Sequence, residues 1–239
     1  MEEVRYARQN RLPGWSDAAQ QRVASATVLV VGMGGLGCPA SLYLARAGVR
    51  ALRICDFDTV QATDLHRQVL YTDPDVGWRK AQVAATRLEQ QHHDLRVEPL
   101  VDGFTAAMAD GADVVLDCTD EPGTRALVHQ VCMEKGIPLV WAAVEGWEAQ
   151  WTTVTPGSGP CLRCLWPSPA DAPSCEQAGI LGPVVAMAGS WQALAALRIL
   201  TDNAPAPGRL HVHDLRRDEV DVVRYSRRAG CTACAVVPK

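Results

Sequence analysis

Thr27-Val28-Leu29-Val30-Val31-Gly32-Met33-Gly34-Gly35-Leu36-Gly37 is the stretch on which the fold turns. Residues 27–31 form a short, β-branched and apolar run, the pattern of a strand buried on both faces. Glycines follow at once, and then a helix predicted over Pro39 to Ala47 with Gly48 as its stop. Gly32, Gly34, Gly35 and Gly37 permit the close backbone approaches that such a strand–turn–helix unit needs. The N–H groups and positive dipole of the helix start suit a phosphate. Asp56 lies 19 positions after Gly37, at the end of a second predicted strand over Ala51 to Asp56. There a carboxylate can hold ribose hydroxyls. A tight turn with no ligand is the plain alternative, and the motif does not choose NAD from ATP.

Working outward, residues 2–12 read as a short charged helix carrying Arg5, Arg8 and Arg11, stopped by Pro13-Gly14. Ser16 is placed to cap a second helix running to about Ala26. Helices over Trp78 to Gln91, Thr105 to Ala109 and Thr124 to Lys135 alternate with strands over Val97 to Val101, Asp113 to Asp117 and Pro138 to Ala143. That alternation predicts an α/β fold with a Rossmann-like, doubly wound, mainly parallel sheet. The pattern changes after Gly146. Ala149 to Thr155 alternates as an antiparallel strand would, residues 156–183 read as a loop or crossover, and Gly182 to Thr201 is a long apolar helix. Two further strands near residues 209–214 and 219–226 complete an antiparallel C-terminal part.

A chain of 239 residues with 48% apolar composition suffices for one substantial core. The net charge of −4, with 23 basic residues spread along the chain, argues against a nucleic-acid face. No apolar run is read as reaching the roughly 18 residues of a membrane span. The N-terminus lacks the pattern of a signal peptide, so the expected compartment is the cytoplasm.

Nine cysteines include two Cys-x-x-Cys pairs, Cys161/Cys164 and Cys231/Cys234. Without a secretion signal these read as zinc ligands rather than disulfides. Four thiolates leave no open position, so the zinc site is expected to be structural, clamping the tail strands to the crossover. Cys38, Cys55, Cys118 and Cys132 lie in apolar segments and read as core. Cys175 sits in a Pro/Ser-rich loop where a thiol can be exposed and reactive. His92 and His93 end a helix and read as solvated; His211 and His213 share a strand face and read as a packed or exposed pair. Trp141, Trp147, Trp151 and Trp166 read as core aromatics, with the lining of a binding groove as the alternative.

Further segments are decisive together: Arg5-Tyr6-Ala7-Arg8-Gln9, Asp56-Phe57-Asp58, Leu65-His66-Arg67-Gln68, Trp78-Arg79-Lys80-Ala81, Leu116-Asp117-Cys118-Thr119-Asp120, Cys161-Leu162-Arg163-Cys164-Leu165 and Ala178-Gly179-Ile180-Leu181-Gly182-Pro183. With the glycine turn and the closing Gly230-Cys231-Thr232-Ala233-Cys234, the chain resembles the ThiF/MoeB/HesA family, the bacterial relatives of ubiquitin-activating enzymes. The resemblance implies one adenylation domain over 1–239: N-terminal helices in 1–26, a nucleotide-binding half in 27–146, and a crossover, carrier-binding strands and zinc clamp in 147–239. It implies ATP-dependent adenylation of the C-terminal glycine of a small ubiquitin-like sulfur-carrier protein ending in Gly-Gly, with release of pyrophosphate.

The residue chemistry is compatible. A carboxylate nucleophile is already ionised at neutral pH, so no general base is required. Arg67 and Lys80 can neutralise the phosphates and Asp120 can hold Mg²⁺. Singly, such a basic pair reads as solvated surface and Asp117 or Asp120 as a helix cap. By resemblance Asp56 takes the ribose, with Asp58 and Asp64 nearby, and Arg8 reaches the γ-phosphate from the second subunit of a homodimer. Cys175 matches the cysteine that, in one branch of the family, forms an acyl-persulfide link to the carrier. Asp64 and Glu121 depart from the family pattern, which has Asn at both positions. A chain of this length leaves sulfur to a separate donor. The alternatives are adenylation of a ribosomal peptide's C-terminus, a nicotinamide-dependent oxidoreductase, and an inactive carrier-binding module.

Overall fold

The computed structural model describes residues 2–92, 94–168 and 179–236. Eight strands form one sheet in the order β3-β2-β1-β4-β5-β6-β7-β8. Strands β1 (Thr27–Val31), β2 (Ala51–Cys55), β3 (Arg96–Leu100), β4 (Val114–Asp117) and β5 (Leu139–Glu145) run parallel. β6 (Glu148–Val154), β7 (Arg209–Asp214) and β8 (Glu219–Arg224) continue it antiparallel. The mainly parallel, doubly wound sheet with antiparallel C-terminal strands is therefore as expected. β1 and β4 are neighbours although two strands separate them in sequence, so the chain reverses its winding direction between them. In open α/β sheets that is where a crevice opens beyond the strand ends.

Helices α2 (Asp17–Val23), α3 (Gly37–Ala47), α4 (Lys80–Glu89) and α7 (Gly182–Leu200) pack on one face, and α5 (Pro122–Lys135) on the other. Both faces of β1 and β4 are thereby covered, which explains their unbroken apolar runs. Ser16 caps α2, its Oγ accepting from the Ala19 N–H at 3.2 Å.

Several expectations need correction. Helix α1 spans Glu2–Arg5 only, and residues 6–14 form turns. The backbone bonds there are mixed, Asn10 N–H to the Tyr6 carbonyl and Leu12 N–H to the Gln9 carbonyl, while the Tyr6 and Gln9 side chains reach distant partners. α4 begins at Lys80, because the Arg79 backbone is extended and bridges to Thr59. The 156–183 stretch contains a short helix, α6 (Leu162–Leu165). His92 is buried rather than solvated: its Nε2 meets the Tyr6 hydroxyl at 2.8 Å. His93 lies outside the described residues.

One premise of the membrane reading is corrected, that no apolar run reaches the length of a span. Gly182–Leu200 is long and apolar enough to cross a membrane by length and composition, with mean hydropathy 1.3. Its composition has another cause here. α7 lies across α3 and the β4–β6 part of the sheet, burying Val184, Val185, Ala188 and Ala193. A helix covered on several sides must be apolar around most of its circumference.

Candidate functional site

A cleft of about 730 Å³ opens beyond the C-terminal ends of β1, β2 and β4. Its floor is the glycine turn. Gly32 has φ +92°, and a Cβ there would lie 2.6 Å from the Cys118 carbonyl oxygen. A Cβ on Gly37 would lie 2.0 Å from the Gly32 oxygen, so the turn closes this tightly only without side chains. Tyr71, which sequence reasoning passed over, props the turn from below by donating its hydroxyl to the Met33 carbonyl at 2.8 Å.

Asp56, directly after β2, is buried and aimed by two backbone donors, Met33 N–H at 2.7 Å and Asp58 N–H at 2.8 Å. Burial raises its carboxyl above the ordinary value despite those bonds and the nearby Lys80. Lys80, the first residue of α4, is also buried; its Nζ lies 3.3 Å from Asp58 Oδ2 and 3.4 Å from Asp64 Oδ2. Burial alone would depress this ammonium, but Asp56, Asp64 and Asp58 outweigh it and hold its pKa above the ordinary lysine value. Lys80 is therefore not a solvated surface cation.

Asp64 is the hub of this wall. Its carboxylate accepts from the Gln61 N–H at 3.0 Å, from Gln68 Nε2 at 2.9 Å and from Arg67 Nη2 at 3.2 Å, besides facing Lys80. Arg67 is anchored further by donating to the Thr63 carbonyl at 2.8 Å. The departure at Asp64 thus holds both cations before any ligand arrives.

On the opposite wall Asp120 is exposed, with no hydrogen-bond or ion-pair partner among the described residues. Neither Asp117 nor Asp120 caps α5. Glu121 does, accepting from the Gly123 and Thr124 N–H groups at 2.7 and 2.5 Å. The Thr124 hydroxyl, donating to Oε2 at 2.7 Å, and those two backbone bonds hold its carboxyl below the ordinary value. The departure at Glu121 is accounted for as a helix cap. Asp117 is fully buried, and burial raises its carboxyl.

The structure brings Gly32, Gly34, Gly35, Asp56, Asp58, Asp64, Arg67, Lys80 and Asp120 to one cleft. Gly37 sits just beneath it, opening α3. Arg8 is exposed and not among the residues lining it. Gln9 Nε2 donates to the Ala47 carbonyl, which pins this segment to the C-terminal end of α3. The 11 residues of α3 put that point about 16 Å from the glycine turn. Cys175 lies outside the described residues. Among the described residues, six carboxylates (Asp56, Asp58, Asp64, Asp102, Asp120 and Glu121) and three cations (Arg67, Lys80 and Arg125) line the cleft. Gln68 lies in one of the motif segments without being read as a site residue, and Asp102, Tyr71 and Arg125 were not legible, since no motif segment contains them.

The second cluster lies on the other face. Cys161, Cys164, Cys231 and Cys234 bring four Sγ atoms within 4.8 Å of one another. Adjacent pairs stand 3.9, 3.7 and 3.6 Å apart. Four sulfurs at Zn–S distances near 2.3 Å lie about 3.8 Å apart around a tetrahedron, so the donor set and spacing fit zinc. The Arg228 N–H donates to Cys164 Sγ at 3.4 Å. Burial opposes ionisation of Cys231, yet the Cys234 backbone and the neighbouring thiols bring its pKa to about 7. Cys38, Cys55, Cys118 and Cys132 are buried, as expected of core residues. Trp141 and Trp151 are core, whereas Trp147 is half exposed; His211 and His213 pack on Trp151.

A strand–glycine turn–helix cleft at a winding reversal, paired with a four-cysteine knot that ties the crossover to the tail, defines a nucleotide-cleft α/β protein of restricted kind. The ThiF family model matches residues 6–233. The chain is 38% identical over 237 residues to the sulfur carrier protein ThiS adenylyltransferase of Escherichia coli, covering 97% of this chain and 94% of that protein. It is 39% identical over 238 residues to the SAMP-activating enzyme E1 of Haloferax volcanii, covering 96% of this chain and 88% of the relative. With the adenylyltransferase and sulfurtransferase MOCS3 of Bos taurus it shares 40% identity over 247 residues, but only 54% of that longer protein is covered. Among solved structures it superposes on E. coli MccB with a TM-score of 0.85 at 21% identity, covering 98% of this chain and 73% of the other. That likeness concerns the fold. The chain belongs to the ThiF family.

Proposed function

We propose that this chain adenylates the C-terminal glycine carboxylate of a ubiquitin-like sulfur-carrier protein with ATP, residues 1–239 acting as one adenylation domain. The carrying observation is the single cleft that joins a side-chain-free glycine turn to two pre-positioned cations, Arg67 and Lys80. The E. coli relative, an adenylyltransferase of the sulfur carrier protein ThiS, supports the choice of substrate.

The carrier's carboxylate attacks the α-phosphorus of ATP, an acyl-adenylate forms and pyrophosphate leaves. Both reactants are anions, so the residues' work is to position them and offset charge. Lys80 and Arg67 exchange part of their contact with Asp64 for contact with phosphate oxygens. Asp56 holds the ribose, fixed in advance by its two backbone donors. The excess of carboxylates over cations disfavours bare ATP and suits a nucleotide carrying Mg²⁺. Asp120, exposed and unpartnered among the described residues, is an oxygen donor that would hold that ion. When bound, Mg²⁺ would supply positive charge to offset that of the phosphates. The four-cysteine knot holds Zn²⁺, which supplies a structural cross-link between crossover and tail.

Arg8 completes the site from a second copy of the chain in a homodimer. Arg8 does not line its own cleft, and its neighbour Gln9 is bonded at the far end of α3. Sulfur comes from a separate donor, and Cys175 is the thiol proposed for the covalent link to the carrier. The test is carrier-dependent exchange of labelled pyrophosphate into ATP in the presence of Mg²⁺, using a small carrier ending in Gly-Gly. Exchange that also proceeds with a carrier lacking those glycines, or no exchange at all, overturns the reading.

A further inference from the structure

The turn that carries Asp120 is tied at four backbone groups just before it. Gln192 Nε2, from α7, donates to the Asp117 carbonyl at 2.7 Å. The Cys118 N–H donates to the Val31 carbonyl at 2.8 Å. The Thr119 N–H and hydroxyl both donate to Asp117 Oδ1, at 3.1 and 2.7 Å. The Thr119 carbonyl accepts from Nε and Nη2 of Arg125, at 3.0 and 2.6 Å.

Arg125 is an unusual donor for a carbonyl. It projects from α5, is buried, and lays its guanidinium 5.5 Å over the ring of the equally buried Trp141. Burying a guanidinium carries a large desolvation cost that a neutral donor would avoid. Its charge also opposes the effect of burial on the Asp117 carboxyl that grips Thr119 from the other side. The carbonyl it holds is one half of a planar unit whose other half is the Asp120 N–H. Clamping that plane from the rigid helix and the Trp141 ring sets the direction in which the Asp120 side chain leaves the backbone.

Resting on the reading of Asp120 as the Mg²⁺-holding carboxylate, we infer that Arg125 is its positioning residue. Arg125 orients Asp120 through the Thr119–Asp120 peptide and does not itself touch the nucleotide's metal. The full chain, with Arg125→Gln and Arg125→Lys variants, is titrated with ATP at a series of Mg²⁺ concentrations without carrier, so that binding is read and no chemistry occurs. The expected result is a Mg²⁺ concentration for half-maximal ATP binding about tenfold higher in Arg125→Gln, with ATP binding in EDTA unchanged. Carrier-dependent exchange at limiting Mg²⁺ is expected to fall about 100-fold, the order of effect of an ångström-scale misplacement. Arg125→Lys, which keeps the charge but not the fork, is expected between the two. Should Arg125→Gln fail to fold, the lysine variant decides. Wild-type Mg²⁺ dependence in a folded variant overturns the inference, and so does equal weakening with Mg²⁺ and with EDTA. Absence of Mg²⁺-dependent ATP binding in the unmutated chain would instead overturn the reading of the cleft.

Discussion

Replacing Asp64 by asparagine should loosen the protein and tighten its hold on ATP, two opposite effects from one atom. Asp64 is buried and takes four donors on its two oxygens: Gln61 N–H and Lys80 on Oδ2, Gln68 and Arg67 on Oδ1. Asparagine keeps one acceptor oxygen, and its amide nitrogen must then face two donors. The Coulomb attraction to Lys80 at 3.4 Å is about 5 kcal/mol at an effective dielectric of 20, most of it offset by desolvation. Losing two hydrogen bonds to or from charged groups leaves a net cost of about 2–3 kcal/mol. For a chain of this size that lowers Tm by roughly 5–10 °C in the ligand-free state. The same change removes one negative charge from an acid-rich cleft and frees Lys80 and Arg67 for phosphate. At about 1 kcal/mol per exposed charge interaction, ATP affinity in Mg²⁺ rises roughly fivefold. Thermal unfolding without ligand and calorimetric ATP titration read the two halves separately. If ATP binds the Asp64→Asn variant more weakly, Asp64 is a direct ligand support and not a holder of the cations. If the ligand-free Tm does not move, Asp64 is not the hub of this wall.

Other perturbations probe other parts of the molecule. Burial lowers the His129 pKa to about 4, against an ordinary 6.5, and its Nε2 has no hydrogen-bond partner among the described residues. A depressed folded-state pKa in a base stabilises fully above the ordinary value and is lost as pH falls. Between pH 6.5 and 4 the protein should lose about 3 kcal/mol through this group, and His129→Leu should flatten that part of the stability curve in denaturant titrations. An unchanged acid limb would show that another group governs it. Purified protein should contain about one zinc per chain, and stripping it or changing Cys231→Ala should lower Tm; a metal-free protein of unaltered stability excludes the clamp. Gly37→Ala puts a Cβ 2.0 Å from the Gly32 oxygen, so ATP binding should be lost. Binding at wild-type affinity would mean that the turn relaxes at no cost. Mixing inactive Arg8→Ala and Lys80→Ala chains should restore part of the exchange activity, because one site in a mixed dimer is intact; no recovery argues against Arg8 acting across subunits.

The parts of this protein legible in the sequence are those governed by local rules. The β-branched run of β1, the glycine turn and the stop at Gly48 depend on residues adjacent in the chain, and they folded as read. So did the alternation that makes the sheet parallel and the change of pattern that makes its last three strands antiparallel. The two Cys-x-x-Cys pairs were also readable, since each makes its own tight turn and only their pairing across the chain awaited the fold. Tertiary structure decided the rest, through burial and long-range partners. Residues 2–12 read as one helix, but it ends at Arg5, and the Tyr6 and Gln9 side chains bond to His92 and Ala47, which no local pattern encodes. The apolar α7 was read as too short an apolar run for a span although it meets that length, and what its composition serves, packing on α3 and the sheet, is visible only in the fold. The odd carboxylates at 64 and 121 look like defects in a phosphate site until one proves to hold Arg67 and Lys80 and the other to cap α5. Charge on a side chain is written in the sequence. Whether that charge is solvated, engaged by a neighbour or left free for a ligand depends on what surrounds it, and only the folded chain supplies the surroundings.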